Sequence, residues 1–118
     1  MESENRPWGS FHVLDTGPTF KVKRIEVQPN KRLSLQLHHK RAEVWTVVSG
    51  TGRFTIGELE AVYRAGDTVQ IPLETKHRME NVGQDMLVVV EVQYGTSTDE
   101  SDIVRYSDDF GRVQDGNG

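Results

Sequence analysis

Four side chains concentrate the chemistry of this chain. Gln36, His38 and Glu43 stand close together in LSLQLHHKRAEVWTVVSG, from Leu33 to Gly50, and His77 follows in GDTVQIPLETKHRMEN. Residues two apart on an extended strand share a face, so Gln36 and His38 project together. Glu43 enters the next apolar run across a short connection, and the groups can meet at one locus as wide as a metal coordination sphere. A lone histidine near a strand end is ordinarily a surface residue, but two histidines and a carboxylate at this joint spacing predict a metal site. Nitrogen and oxygen donors of this mixture suit Zn2+, Co2+, Mn2+, Fe2+ or Ni2+, with Zn2+ the first expectation. The chain has no cysteine, which removes disulfides, thiolate catalysis and Cys-based zinc sites together.

The elements that must hold these groups are short apolar runs separated by Gly, Pro, Asn and Asp, the pattern of an all-β domain. Residues 1–5 are polar and are expected to fray, with an ordered arm from Arg6 to Trp8. Strands are predicted over Phe11 to Leu14 and Phe20 to Gln28. On the second, Lys23 shares a face with Ile25 and Val27, which carries it inward. RLSLQLHH is a third strand, with His39 pointing away from His38, and EVWTVVSG is a fourth, closed by a hairpin turn at Gly50 to Gly52. RFTI and AVYR join through Gly57, and TVQIP, KHRMEN and MLVVVEVQYG add three more. Eight or nine short strands at this spacing make a sandwich or barrel. IVRYSDDFGR is read as a strand or short helix returning to the barrel, and residues 113–118 as a flexible end.

At 118 residues the chain fits one domain, set at 6–112. The net charge of -4, without a basic stripe, argues against nucleic acid and leaves small molecules as partners. No apolar stretch approaches the roughly 20 residues that span a bilayer, and MESENRPW has no signal-peptide core, so a soluble cytoplasmic protein is expected.

The order Gly66, Pro72, His77, Asn81 is similar to the second motif of the cupins, and LQLHHKRAEVWTVVSG resembles the first. Most cupins carry His-x-His before the glutamate. Gln36 takes the first of those places, as in phosphomannose isomerases. RPWGSF, FKVKRIEVQPNKRLSLQLHHKRAE, VVSGTG, IPLETKHRMEN, VEVQYG and DIVRYSDDFGR together resemble the type II mannose-6-phosphate isomerase domain, often the C-terminal part of bifunctional mannose-1-phosphate guanylyltransferases. The likeness runs from Arg6 to Arg112, as a stand-alone isomerase domain. Three places depart from the family: Val44 where it usually has His, Glu74 where it has Gly, and the rim around Ser97 to Ser101, where of the family's Tyr-Leu-Gly-Glu-Asp-Asp-Ile only Glu100, Asp102 and Ile103 match within STDESDI.

The resemblance implies a cupin barrel, a double-stranded β-helix or jelly roll, with one divalent ion on Gln36, His38, Glu43 and His77. It implies interconversion of mannose 6-phosphate and fructose 6-phosphate, with Lewis-acid help from the metal and a protein base moving a proton between C1 and C2. Lys23 is the first candidate for a polar catalytic partner, because burial can lower a lysine pKa. Arg112, in a segment resembling the family's Tyr-Gly-Arg, is the second, holding the phosphate or the enediolate. Arg6 and Trp8 are expected to close the mouth on the substrate. A homodimer and a separate guanylyltransferase partner are also implied. Two other readings remain open: a non-catalytic cupin that binds a sugar phosphate or nucleotide sugar as a sensor or partner subunit, and a metal-dependent dioxygenase.

Overall fold

The computed structural model describes residues 2–111, and every regular element within them is a β-strand. In chain order these are β1 (Glu2–Arg6), β2 (Gly9–Thr16), β3 (Phe20–Val27), β4 (Leu35–Leu37), β5 (Arg41–Ser49), β6 (Thr51–Ile56), β7 (Leu59–Arg64), β8 (Thr68–Ile71), β9 (His77–Asn81), β10 (Leu87–Gly95) and β11 (Val104–Ser107). They form two antiparallel sheets, ordered β1-β2-β3-β10-β5-β8 and β11-β4-β9-β6-β7. The all-β cupin barrel expected from the motifs is the fold of the chain. Among the described residues no helix is long and apolar enough to cross a membrane.

Strand alternation builds the interior. On β5 and β10 every second residue is buried as far as Val47 and Gln93, which brings Trp45, Val47, Leu87 and Val89 inward. From the other sheet Phe54 and Met79 meet them, with Trp45 and Phe54 edge to face at 5.0 Å between ring centroids. Each such apolar side chain contributes about 1.5–3 kcal/mol by burial, which lets the same strands carry inward-facing charges near the barrel mouth. Lys23 shares the inward face with Ile25 and Val27, as the alternation of β3 requires.

Several details depart from the sequence reading. The start does not fray from residue 2 onward: Glu2–Arg6 is strand β1, paired with β2 through a two-residue turn at Pro7 and Trp8. Its polar composition hid an edge strand whose backbone pairing, rather than apolar burial, holds it, with Ser3 Oγ 2.8 Å from His12 Nδ1. Gly50 to Gly52 is not a hairpin. β5 and β6 lie in different sheets, and Gly50, at a φ of 88°, turns the corner between them where a Cβ would stand 2.7 Å from the Met86 carbonyl oxygen. The third strand is shorter than expected, because the backbone N–H groups of His39 and Lys40 donate to the Asp102 carboxylate at 3.0 and 2.9 Å instead of to a neighbouring strand. The returning segment is a strand, β11, paired with β4. Eleven strands are present among the described residues, against eight or nine expected. Arg112 and residues 113–118 lie outside the described residues.

Candidate metal centre

The two sheets bring the predicted ligands to one end of the barrel. His38 follows β4 and His77 opens β9, both on the five-stranded sheet, while Glu43 faces them from β5 of the other. One ligand atom from each of His38, Glu43 and His77 lies within 4.8 Å of the others, and all three residues are buried. Each imidazole is oriented by a backbone carbonyl: His38 Nδ1 donates to Asp102 O at 2.6 Å, and His77 Nδ1 donates to Thr75 O at 2.9 Å. Both Nε2 atoms turn their lone pairs toward the interior, 3.4 and 3.9 Å from the Glu43 carboxylate. Such fixing of the second ring nitrogen is how metal-binding histidines are usually held.

The electrostatics agree with this donor set. Burial, then the charges of Arg41 and His77, push His38 down to about 3, and burial lowers His77 as well. Both rings are neutral at pH 7, the form that ligates metal. The site therefore fits a divalent ion, with two imidazoles and a carboxylate at coordinating range. Gln36 stands beside them on the pocket wall, directly opposite His77 in the β4–β9 pairing. Its amide nitrogen donates to Ser34 Oγ at 3.1 Å, which leaves its carbonyl oxygen available.

Two groups at this centre were not predicted as site residues. Arg41 was read as part of a connection, yet it is only 5% exposed. Its Nε donates to Glu43 Oε2 at 2.9 Å and its Nη2 to His38 Nε2 at 3.2 Å, so Arg41 and a metal compete for the same lone pair. Its Nη1 is buried without an acceptor among the described residues, a donor left over for a ligand oxygen. Two-residue parity with Glu43 was the signal that could have revealed it. Glu91 faces inward opposite Lys23 and takes hydrogen bonds from Trp45 Nε1 at 3.0 Å and Gln93 Nε2 at 2.9 Å. Burial and the nearby Glu43 raise it to about 7.

The ligands form the floor of a pocket whose wall includes Arg6, Lys23, Arg41, Arg78 and Arg105 among the cations and Glu43, Glu91 and Glu100 among the carboxylates. Lys23 Nζ lies 2.5 Å from Glu100 Oε1 and 4.1 Å from the Phe11 ring centroid. Arg6 also lies over Phe11, at 4.9 Å, and Trp8, buried, is part of the same wall. His39 points out to solvent near Glu74, at 3.3 Å, and His12 pairs with Ser3 and Ser10 on the outside of the six-stranded sheet.

Comparison with known proteins agrees with the fold. The family described as mannose-6-phosphate isomerase C-terminal matches residues 2–108. The xanthan biosynthesis protein XanB of Xanthomonas campestris is 48% identical over 108 residues, 92% of this chain and 23% of that protein. Mannose-1-phosphate guanylyltransferase ManC of Salmonella typhimurium is 44% identical over 92% of this chain and 22% of its own length. The chain thus spans less than a quarter of the relatives it matches. Among solved structures, the cupin domain of Cnp3 from Schizosaccharomyces pombe superposes with a TM-score of 0.71 at 11% identity, over 73% of this chain and 64% of that one, a likeness of fold. Motif order, ligand geometry and similarity along nearly the whole chain lead to one conclusion: the protein belongs to the mannose-6-phosphate isomerase C-terminal family.

Proposed function

We propose that this chain is a metal-dependent aldose–ketose isomerase that interconverts mannose 6-phosphate and fructose 6-phosphate. The observation that carries the reading is the His38–Glu43–His77 ligand set at the floor of a pocket lined by five cations, in a chain whose net charge is -4. Such local excess of positive charge suits a phosphorylated sugar. Gln36, His38, Glu43 and His77 would hold one divalent ion, Zn2+ foremost, and that ion would supply Lewis-acid chemistry by drawing charge from a carbonyl. Arg41 offers its unpaired Nη1 to a sugar or phosphate oxygen, and its fork geometry favours such oxygens. Lys23 and Arg6 add positive charge to the wall, and Trp8 closes it against water. Arg112 retains the anion-binding role that the sequence resemblance gives it.

The test is direct. Metal-loaded protein incubated with fructose 6-phosphate should form mannose 6-phosphate. Absence of turnover with each of Zn2+, Co2+, Mn2+ and Ni2+ defeats the isomerase reading, and retained sugar-phosphate binding would then favour the non-catalytic sensor. Glu74 at the mouth is the feature on the side of that second reading, since it adds bulk and charge beside His39.

The same proposal covers partners. The relatives include a mannose-1-phosphate guanylyltransferase, whose substrate differs from mannose 6-phosphate by the position of the phosphate, so a separate nucleotidyltransferase acting after a phosphate shift from O6 to O1 is the partner this reading implies. Two copies of the chain would pair through the outer face of the six-stranded sheet, where Val22, Val92 and Val44 stand in one row across three strands. Val88 and Val90 extend that half-buried surface along β10. The outward rows of these three strands also carry Arg24, Glu26 and Thr46, so the valines form an apolar strip bordered by polar and charged groups. The cytoplasm, where charged sugar phosphates are retained by the bilayer, is its assigned compartment.

A further inference from the structure

An isomerisation of this kind requires a base within about 3 Å of the moving proton. The pocket wall carries the carboxylates of Glu43, Glu91 and Glu100. Glu43 belongs to the ligand set, and its two oxygens accept from Arg41 Nε and Trp45 Nε1, both at 2.9 Å. Glu91 accepts at both oxygens as well, from Trp45 Nε1 and Gln93 Nε2, and is buried beneath the pocket surface at 5% exposure. The Nε2 atoms of His38 and His77 are metal donors. Lys23 Nζ is engaged by the Glu100 carboxylate at 2.5 Å.

Glu100 differs from the rest. It reaches the pocket from the segment between β10 and β11, and Lys21 Nζ ties that segment down through Thr98 O at 3.0 Å. Asp102 secures its other end by capping His39 and Lys40 and orienting His38. Both cation contacts of Glu100, Lys23 at 2.5 Å and Lys21 at 3.2 Å, fall on Oε1, and no described residue donates to Oε2. Burial would raise its pKa, but Lys23, Arg41 and Lys21 outweigh that and lower it, so the carboxylate is ionised at neutral pH.

We infer that Glu100 is the catalytic base of the isomerisation and Lys23 the cation that positions it, an assignment that rests on the isomerase reading above. In open-chain mannose 6-phosphate, Oε2 takes the proton from C2. The C–H electron pair becomes the C1–C2 double bond of an enediol as the carbonyl π pair moves onto O1, and the hydroxyl proton of O2 passes to O1. The O2 lone pair then forms the carbonyl at C2 while Glu100 returns its proton to C1, giving fructose 6-phosphate with every atom and electron pair accounted for.

The experiment follows deuterium entering C1 of fructose 6-phosphate in heavy water, by NMR, with metal-loaded wild type and Glu100→Gln. Metal content and fructose 6-phosphate affinity are measured on the same samples. Exchange should fall by about 10²–10⁴-fold in the variant, with metal retained and affinity within a few-fold. Formate added to Glu100→Ala should restore part of the exchange, which a purely structural role for Glu100 would not allow. Exchange by Glu100→Gln at the wild-type rate overturns the assignment. So does tighter substrate binding at unchanged exchange, which would make Glu100 a competitor for Lys23. A wild type inert with all four metals removes the isomerase reading and this one together, whereas active wild type and active variant remove only Glu100.

Discussion

The chemistry at single residues is set by which nitrogen or oxygen is left over after hydrogen bonding. His38 and His77 each spend Nδ1 on a backbone carbonyl, and this choice, more than the residue types, fits the centre to hold a metal. His38→Ala should therefore weaken Zn2+ or Co2+ binding by about 100-fold or more, measured by competition with a chromophoric chelator, while circular dichroism shows the barrel intact. In metal-free protein the buried ring also predicts acid lability. Folded His38 titrates near 3 and the unfolded residue near 6.5, so below 6.5 the unfolded chain binds a proton that the folded chain refuses. The stability linked to this ring is complete above pH 6.5 and drains away as pH falls toward 3. Urea midpoints taken from pH 8 to pH 4 should drop in wild type and drop less in His38→Ala; parallel curves would refute the linkage. At this scale the sequence was readable where spacing mirrors strand parity, as for Gln36, His38, Glu43 and Lys23. Arg41 escaped because a charged residue next to a turn reads as solvated, and only the fold shows that β5 already begins there.

Elements were legible by their apolar alternation and poorly legible where pairing alone sustains them. β1 has no apolar face to announce it, and β4 loses its last residues to a side chain from a segment 62 residues away. Glu74 is a case where sequence comparison and backbone geometry speak to each other. It stands where the resembling family has glycine, and its φ is 56°, the left-handed region that costs a side-chain-bearing residue about 1–2 kcal/mol. Its carboxylate offers only an exposed contact to His39 in return. Glu74→Gly should raise stability by about 1 kcal/mol after the entropy glycine adds to the unfolded chain, a shift of roughly 4 °C in Tm for a domain of this size. Calorimetry decides it, and an unchanged or lower Tm would mean that the local backbone carries no such strain.

For the whole molecule, the two sheets were implied by eight or nine strands, but their membership was not, because a turn between consecutive strands looks the same whether it closes a hairpin or crosses between sheets. Gly50 shows the second case. The outward valines of β3, β5 and β10 carry a prediction about assembly. Val92→Asp places a charge at the centre of the Val22–Val92–Val44 row, so sedimentation should show a wild-type dimer and a variant monomer of unchanged circular dichroism. A wild type that sediments as a monomer at micromolar concentration would refute the pairing. One further property follows from the indole of Trp45, whose N–H is shared between Glu43 and Glu91 and whose ring centroid lies 5.5 Å from that of His77. The chain has two tryptophans, and both line the pocket. Its ultraviolet emission is consequently a built-in gauge of the ion: open-shell Co2+ or Ni2+ should quench the glow, while filled-shell Zn2+ should only shift its colour, so unlabelled protein reports its own loading.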